Sequence, residues 1–387
     1  MEMKAFEFAT AQRIRFGWGV LEESGSIAST LGRRAFLVRG KKHPDLPRLM
    51  DLLDQSRVSV VEFVVTEEPS VDLVRQAVAQ ARAAGCDCVI GFGGGSVLDT
   101  AKAVSALLTN TGCLEDYLEV VGQGQALEVL AAPCLAIPTT AGTGSEVTRN
   151  AVLGVPEAGV KVSLRSHLML PTVALVDPAL TCSLPPKITA YTGMDALTQV
   201  LEPYVSVRAN PMTDLFCREG LQRASWALLA AFKDGNDKDA RTAMTWVSLL
   251  GGLALANAGL GAVHGLAAPI GGMFKAPHGA ICARLLPLVT RVNLQALRNR
   301  QPENPILERY HEIARWLTRR EEAQAEDGVT WLEEMVDILD IPGLGAYGMT
   351  HEHIPTIVER GLRASSMKAN PIALTAEELT MILEEAL

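Results

Sequence analysis

The sequence predicts an α/β N-terminal domain with a doubly wound parallel sheet, followed by an all-α C-terminal domain. In the first half, short apolar runs alternate with amphipathic stretches, which is typical of parallel strands joined by helical crossovers. Beyond residue 184, long helical patterns follow one another without β-branched alternation. Because 387 residues exceed the size at which a single core usually stops growing, we expect two domains, 1–184 and 185–387.

The elements of the first domain follow in order along the chain. Apolar and β-branched runs predict strands at 35–38, 58–65, 88–92, 134–137 and 172–176. Helical spacing of apolar residues predicts helices at 46–53 and 70–84, and Ser70 is placed to cap the second of them. The segment VDPALTCSLPPK at 176–187 contains three prolines that break regular structure, and it indicates the domain boundary.

The second domain is predicted to be helical throughout. Its helical patterns lie at 186–205, 211–232, 238–259, 304–320, 327–338, 352–364 and 375–386. Almost no alternating β-branched run separates them, so no second sheet is expected.

The composition excludes several classes of protein. The chain has a formal net charge of -9, with 48% hydrophobic and 20% charged residues. A disordered chain lacks such apolar content, and a binder of nucleic acid or anionic membrane normally carries the opposite charge, so we expect neither partner. No N-terminal charged region precedes an apolar stretch, and no run of eighteen apolar residues occurs. We therefore expect a cytoplasmic protein.

The seven cysteines are odd in number, scattered and mostly set in apolar surroundings. This distribution is typical of reduced core residues in a cytosolic protein. Neither a paired zinc spacing nor a C-x-x-C redox spacing is present, so we expect no ligand or catalytic role for any of them.

A glycine-rich turn follows the strand at 88–92. Gly94, Gly95 and Ser96 come after the strand, and a helix opening at Ser96 would direct its first N–H groups toward an anion. Since glycines allow close approach of a ligand, the turn favours binding of a pyrophosphate, as in Rossmann-like folds. The full G-x-G-x-x-G fingerprint is absent, however, and Ser96 with Asp99 also fits a simple capping box.

A second polar loop, PTTAGTGSEVT at 138–148, follows the next strand. Its hydroxyls and backbone N–H groups fit another part of a phosphate-bearing ligand, although a surface loop with helix caps has the same composition. Two such loops after two parallel strands are what a nucleotide crevice requires.

The helical half contains a set of potential metal ligands. Asp195 and Gln199 are four residues apart and share one face of a helix, whereas His264 and His278 lie on separate elements that can converge. A carboxylate and two imidazoles suit Zn²⁺ or Fe²⁺ and leave a position open for substrate. On spacing alone, structural histidines explain the pattern better. The other histidines are interpreted as surface or packing residues: His43, His167, His311, His351 and His353.

Taken together, seven motifs resemble the iron-containing (group III) alcohol dehydrogenase family over nearly the whole chain. They are GFGGGSVLDTAKA at 91–103, IPTTAGTGSEVT at 137–148, KVSLRS at 161–166, LPTVALVDPALT at 170–181, TGMDALTQVLEPYVS at 192–206, GLGAVHGLAAPIGGMFKAPHGAICARLLP at 259–287 and NPIALT at 370–375. The resemblance implies a dehydroquinate-synthase-like architecture, with a nucleotide-binding domain, a helical domain and an active site between them.

The resemblance also implies roles for individual residues. Gly94, Gly95 and Ser96 match positions that hold the cofactor pyrophosphate, with Asp99 close by. The other matching cofactor positions are Thr139, Thr140, Thr143, Thr148, Lys161 and Leu180. Asp195, His264 and His278 match metal ligands, and the implied mechanism polarises the substrate oxygen while hydride passes between substrate carbon and nicotinamide.

Two departures from the family pattern concern the metal and substrate. The family has His at the position of Gln199, and a glutamine oxygen is a weaker ligand than imidazole for Fe²⁺ or Zn²⁺. Related glycerol dehydrogenases use an Asp/His/His set, so a three-ligand zinc site is one hypothesis. Many relatives carry another His at the position of Ala268, so we expect a less polar substrate pocket and proton release through water or a ribose hydroxyl.

A third departure concerns the choice of nucleotide. NAD-preferring relatives often place an Asp at the end of the first strand, and here that position is Gly40, followed by Lys41 and Lys42. Loss of the carboxylate beside two cations favours the 2′-phosphate of NADP. A solvated basic turn explains these residues almost equally well.

We therefore expect a metal-dependent NAD(P)-linked alcohol dehydrogenase or aldehyde reductase that acts on a small substrate as a homodimer or larger homo-oligomer. Three alternatives stay open. They are a maleylacetate-reductase-like enzyme, a dehydroquinate-synthase-like lyase that uses NAD catalytically, and a metal-free relative without activity, which Gln199 and Ala268 motivate.

Overall fold

The computed structural model describes residues 5–119, 121–155, 157 and 159–387. They divide into two compact units. The α/β unit comprises residues 9–140 and 144–184, and the helical unit comprises residues 5–8, 141–143 and 185–387. The predicted first domain also includes residues 1–4, which lie outside the described residues.

A six-stranded parallel sheet forms the centre of the α/β unit, with the spatial order β1-β8-β5-β4-β2-β3. The described strands are β1 (Arg13–Phe16), β2 (Arg34–Arg39), β3 (Ser59–Val64), β4 (Cys88–Gly93), β5 (Cys134–Pro138), β6 (Asn150–Val155), β7 (Val160–Arg165) and β8 (Val173–Val176). β6 and β7 pair with each other as an antiparallel hairpin. The predicted fold class is confirmed, while β1 and this hairpin were not predicted.

Five helices of the α/β unit connect its strands. They are α1 (Ser24–Leu31), α2 (Leu46–Gln55), α3 (Val71–Ala83), α4 (Gly95–Thr109) and α5 (Leu114–Tyr117). Ser70 caps α3 as predicted, because its side chain accepts a hydrogen bond from the Leu73 N–H. The expected helix start at Ser96 is wrong: α4 opens at Gly95, Gly94 is its N-cap, and no side chain caps it. The capping-box interpretation of Ser96 and Asp99 is therefore excluded.

The sheet is buried on both faces, as parallel sheets usually are. Successive residues of β2 show this, because Phe36 and Val38 enter one apolar cluster and Ala35 and Leu37 enter another. The first cluster includes apolar residues of α3, α4 and the hairpin, and the second includes those of α1 and α2. Burial from two sides fixes the register of the strands and hence the position of the loops that follow them.

The helical unit contains the remaining described helices. They are α6 (Pro186–Val205), α7 (Pro211–Lys233), α8 (Lys238–Ala258), α9 (Ala262–Met273), α10 (His278–Arg300), α11 (Ile306–Thr318), α12 (Ala325–Ile338), α13 (Ile354–Arg363) and α14 (Ala376–Ala386). The seven predicted helices are present with slightly shifted ends. Prolines inside α9 and α10 interrupt the apolar periodicity, and these two helices were not predicted.

Within the described part of the chain, no single helix combines the length and apolar character needed to cross a membrane. α8 and α9 reach that level only as a pair, and the chain bends by 99° between them.

Asp177 lies directly after β8, and its carboxylate forms hydrogen bonds with the segment that follows β1. Its Oδ1 atom accepts hydrogen bonds from the N–H groups of Gly19 and Ala179, each at 3.0 Å, and its Oδ2 atom accepts one from Leu21 N–H at 3.0 Å. The side chain is buried, so each of these backbone donors depends on it for a partner.

We expect Asp177→Asn to lower the free energy of unfolding by about 1–3 kcal/mol, because the amide places a donor against at least one of these N–H groups. Urea-induced unfolding measures the change. Asp54→Asn, at an exposed position of α2, is the control and should change it by less than about 0.5 kcal/mol. Equal effects of the two substitutions would contradict this role of Asp177.

Candidate functional site

The end of the parallel sheet brings several predicted cofactor positions together. β2 lies between β3 and β4, so the chain runs outward from β2 to β3, returns past β2 to β4, and continues in the opposite direction to β5. A doubly wound sheet binds its ligand at such a reversal, beyond the carboxyl ends of the strands. Gly40 follows β2 here and Gly94 follows β4, and Arg39 pairs with Phe92 in the register of the two strands.

The two polar loops meet at this edge. The Thr139 N–H donates to the Gly93 carbonyl at 3.0 Å, and a Cβ atom placed on Gly94 would lie 3.2 Å from Thr140 Oγ1. Gly94 thus lets the two loops approach closely at the start of α4, whose first N–H groups have no carbonyl partner within the helix. This arrangement fits the pyrophosphate of a dinucleotide.

Polar side chains link the first turns of α4 to the second loop and to the β6–β7 hairpin. Asp99 accepts hydrogen bonds from Ser145 Oγ at 2.5 Å and from the Val152 N–H at 2.9 Å. The buried ammonium of Lys102 lies 3.2 Å from Asp99 Oδ1 and donates to Thr148 Oγ1 at 2.8 Å. Burial raises the pKa of the nearby Glu146 to about 7, although Lys102 opposes the shift. Asp99 and Thr148 therefore support the loops from below.

Three cationic side chains lie at the end of β2, and they differ in whether they are bound to neighbouring groups or exposed to solvent. The Arg39 guanidinium binds Glu62 at 2.5 Å and the carbonyl oxygens of Gly40 and Lys41 at 3.0 and 3.3 Å. Lys41 and Lys42 are exposed. Only these two lysines therefore extend into solvent beside Gly40, where an added Cβ would meet no atom within 4 Å.

The remaining predicted cofactor positions have other surroundings. Lys161 lies in the β6–β7 hairpin and forms an ion pair with Glu68. Leu180 is buried, and its carbonyl oxygen lies 3.0 Å from His43 Nε2. Thr143 lies in the short segment that groups with the helical unit.

In the helical unit, three helices converge on one buried carboxylate. Asp195 lies in the middle of α6, His264 in the first turn of α9, and His278 is the first residue of α10. Gly279 allows the start of α10 to approach α6, since a Cβ there would lie 2.4 Å from the Tyr191 carbonyl oxygen. This contact lies one helical turn before Asp195 on α6, so the His278 side chain can reach Asp195.

The side-chain atoms of this cluster fit a divalent cation. Asp195 Oδ1 lies 3.5 Å from His264 Nε2 and 3.7 Å from His278 Nε2. This oxygen is buried and has no hydrogen-bond partner among the described residues. A buried carboxylate oxygen facing two imidazoles is costly without a cation, so the donor set suits a metal such as Zn²⁺ or Fe²⁺. The His278 side chain remains 35% exposed, which leaves one side of the cluster open.

Glu202, one turn after Gln199 on α6, fixes the orientation of His264. Its Oε2 atom lies 2.7 Å from His264 Nδ1, and its Oε1 atom accepts from the Val263 N–H at 2.7 Å. An ionised carboxylate only accepts, so the proton resides on Nδ1 and the Nε2 lone pair faces Asp195 in the neutral ring. Such carboxylate–histidine pairs orient metal ligands.

The close approach of these groups shifts their pKa values. Burial alone would lower the pKa of His264, but the Cys282 sulfur, the nearby Asp195 carboxylate and the hydrogen bond to Glu202 raise it well above its usual value. Burial would raise the pKa of Asp195, yet the charge of His278 and contacts with His264 and Gln199 lower it. Because an imidazole binds a metal through a deprotonated nitrogen, the raised pKa of His264 makes protonation and cation binding compete.

The residues that depart from the family pattern border this cluster. Gln199 is buried, and its Oε1 atom has no hydrogen-bond partner among the described residues. Ala268 lies one turn after His264 on α9 and is partly exposed.

Two family models cover most of the chain. The model described as "Iron-containing alcohol dehydrogenase" matches residues 11–178, and the model described as "Fe-containing alcohol dehydrogenase family, C-terminal" matches residues 189–387. The chain belongs to the iron-containing alcohol dehydrogenase family. The predicted family is thus confirmed, and this member is an alcohol oxidoreductase, as expected.

Curated relatives of this family member align along nearly its full length. Alcohol dehydrogenase 4 of Saccharomyces cerevisiae is 34% identical over 377 residues, or 96% of each chain. Long-chain-alcohol dehydrogenase 1 of Geobacillus thermodenitrificans is 36% identical over 96% of this chain and 94% of its own.

Solved structures agree with the fold of this alcohol dehydrogenase family member. A 1,3-propanediol oxidoreductase has a TM-score of 0.92 at 31% identity and covers 99% of this chain and 100% of its own. Sulfoacetaldehyde reductase from Bifidobacterium kashiwanohense, solved with NAD⁺, has a TM-score of 0.85 at 29% identity over 98% of each chain. A nicotinamide dinucleotide and a metal are the cofactors that fit this family.

Two residues beside the cluster were missed by the sequence reasoning. Glu202 lies seven residues after Asp195, two turns along the same face of α6, and that spacing was a usable signal. Cys282 was interpreted as an inert core residue. Its sulfur lies 3.5 Å from His278 Nε2, and the four-residue separation from His278 places both on one face of α10.

We expect Glu202→Gln to weaken metal binding about 10–100-fold, because the amide nitrogen of Gln would face either the Val263 N–H or the His264 Nδ1–H. Competition with a chromogenic chelator measures the affinity. Glu334→Gln, at an exposed site on α12, serves as the control and should leave it unchanged. An unaltered affinity in folded Glu202→Gln protein would refute this positioning role.

Proposed function

We propose that the enzyme is a metal-dependent NAD(P)-linked alcohol dehydrogenase or aldehyde reductase whose cation is held by Asp195, His264 and His278. Residues 1–184 would bind the dinucleotide and residues 185–387 the metal. The observation that carries the proposal is the buried Asp195 oxygen without a hydrogen-bond partner, facing one nitrogen of each imidazole.

The cofactors supply the reactive chemistry: a divalent cation polarises an alcohol or carbonyl oxygen, and nicotinamide exchanges hydride with the substrate carbon. The chain's own residues position these groups. Glu202 keeps the proton on His264 Nδ1, which directs Nε2 toward the cation. Ala268 adds apolar surface one turn from His264, so proton release would pass through water or a ribose hydroxyl.

The curated relatives support the alcohol dehydrogenase alternative over the others. Their printed names include alcohol dehydrogenases, a 4-hydroxybutyrate dehydrogenase and a sulfoacetaldehyde reductase. These names agree on the interconversion of an alcohol and a carbonyl but differ in the substrate. A substrate panel must therefore span simple, long-chain and acidic aldehydes.

The proposal predicts NAD(P)H consumption with at least one aldehyde of such a panel and loss of activity after chelation, restored by Fe²⁺ or Zn²⁺. Asp195→Ala should lower kcat/KM more than about 100-fold, because it removes a metal ligand. The measurements are steady-state kinetics and metal content. The control is Asp337→Ala, at an exposed position of α12.

Unchanged turnover in Asp195→Ala would refute the metal mechanism. Activity without net consumption of NAD(P)H would indicate the lyase alternative instead. Reduction of a carbon–carbon double bond with no activity on aldehydes would indicate the maleylacetate-reductase alternative.

We further propose that the enzyme prefers NADP. Gly40 supplies no carboxylate at the end of β2, and Lys41 and Lys42 are exposed beside it. Because Arg39 is bound to Glu62 and to backbone carbonyls, the two lysines are the cations that would meet a 2′-phosphate.

Gly40→Asp tests this preference, since the open space at Gly40 accommodates a side chain. We expect the ratio of kcat/KM for NADPH to that for NADH to fall about 10–100-fold, because the carboxylate repels the 2′-phosphate. Gly40→Asn has nearly the same shape without the charge and should have little effect. A wild-type kcat/KM for NADH tenfold or more above that for NADPH would contradict the proposal.

We also propose that the enzyme is a homodimer or larger homo-oligomer and that it is located in the cytoplasm. All seven cysteines are free thiols, which supports a reducing compartment.

A further inference from the structure

The sulfur of Cys282 is the fourth potential ligand atom of the cluster. Cys282 is buried on α10, one turn after His278, and its Sγ atom lies 3.5 Å from His278 Nε2 and 3.8 Å from His264 Nε2. One atom each from Asp195, His264, His278 and Cys282 all lie within 4.8 Å of one another. We propose that Cys282 is a metal ligand of this enzyme and takes the place that Gln199 leaves unfilled.

Four of the six ligand–ligand distances lie close to the edges of a coordination tetrahedron. With metal–nitrogen and metal–oxygen bonds near 2.1 Å and a metal–sulfur bond near 2.3 Å, the ligand atoms of such a site lie about 3.3–3.6 Å apart. Four of the ligand–ligand distances in the cluster are 3.5, 3.7, 3.5 and 3.8 Å. A cation would need only small side-chain movements to bind all four atoms.

Gln199 is the less suitable candidate for the fourth position. Its oxygen lies beside the closely packed Gly251, where an added Cβ would be 3.5 Å from Gln199 Oε1. Gln199 is also neutral, whereas a thiol that loses its proton to solvent supplies a negative charge to the cation. Charge and position therefore favour Cys282.

A thiolate changes which metal the site prefers. Soft sulfur ligands favour Zn²⁺, and Co²⁺ binds the same type of tetrahedral site, whereas ligand sets of carboxylate and imidazole suit Fe²⁺. The inference rests on the proposed function, because it completes the same metal site. The exposed part of the His278 side chain leaves one side of this ligand set open toward solvent, from which a substrate could approach.

Absorption spectroscopy of the full-length enzyme loaded with Co²⁺ tests the inference directly. We expect the wild-type protein to show a sulfur-to-cobalt charge-transfer band in the near ultraviolet. Cys282→Ser should lose this band and bind Zn²⁺ at least about 100-fold more weakly. Cys217→Ser replaces a buried cysteine of α7 and is the matched control, in which the band should remain.

A second variant distinguishes loss of a ligand in Cys282→Ser from loss of the fold. The double variant Cys282→Ser with Gln199→His should bind Co²⁺ again, with a ligand-field spectrum but without the charge-transfer band. Modification of Cys282 by a thiol reagent should also be slower in zinc-loaded than in metal-free protein, as peptide mapping would show.

Absence of the band in wild-type protein that binds one Co²⁺, or its persistence in Cys282→Ser, would overturn the role of Cys282 and leave the proposed function intact. Failure of the wild-type protein to bind any divalent cation would overturn both.

Discussion

The need to compensate one buried carboxylate governs the helical unit. An ionised carboxylate in an apolar interior is strongly unfavourable unless cations or hydrogen-bond donors surround it. Asp195 faces two imidazoles, one from α9 and one from α10, which bring these helices within reach of a single side chain, and a cation among the three groups would meet this requirement. Small residues such as Gly279 permit the close helix contacts that result.

The same constraint explains the buried polar residues behind the imidazoles. Glu202 is itself a buried carboxylate, and it is compensated by His264 Nδ1 and by the Val263 N–H at the start of α9. The Glu202 carboxylate thus finds its hydrogen-bond donors in the first turn of α9. In the α/β unit, Asp99 and Lys102 play a similar part below the two polar loops.

The sequence allowed prediction of the elements whose patterns are local. The β-branched runs and amphipathic helices have such patterns, and their positions agree closely with the structure. α9 and α10 were not predicted, because glycines and prolines disturb the periodicity of their apolar residues. The chain nevertheless forms regular helix there. β1 was not predicted, because its short sequence RIRF alternates charged with apolar residues at the edge of the sheet and contains no continuous apolar run.

For the candidate site, residue type indicated Asp195, His264 and His278, but only tertiary structure brings their atoms together. The proximity of Cys282 to His264 depends on how α9 and α10 cross, and the spacing of residues in the sequence does not reveal that crossing. Likewise, the engagement of Arg39 by Glu62 depends on the pairing of β2 with β3. Long-range packing was therefore the missing information in both places.

The first turn of α9 is completed by a residue from far along the chain. The Ala262 N–H donates to Asn370 Oδ1 at 3.0 Å, and the two residues are 108 positions apart. Asn370 also exchanges hydrogen bonds with Asn293 of α10, so it joins the two helices that carry the imidazoles. A nascent chain on the ribosome acquires α9 and α10 well before it acquires this residue. The hydrogen bonds through which Asn370 joins the two helices can therefore form only late in synthesis, after the α/β unit has had time to fold.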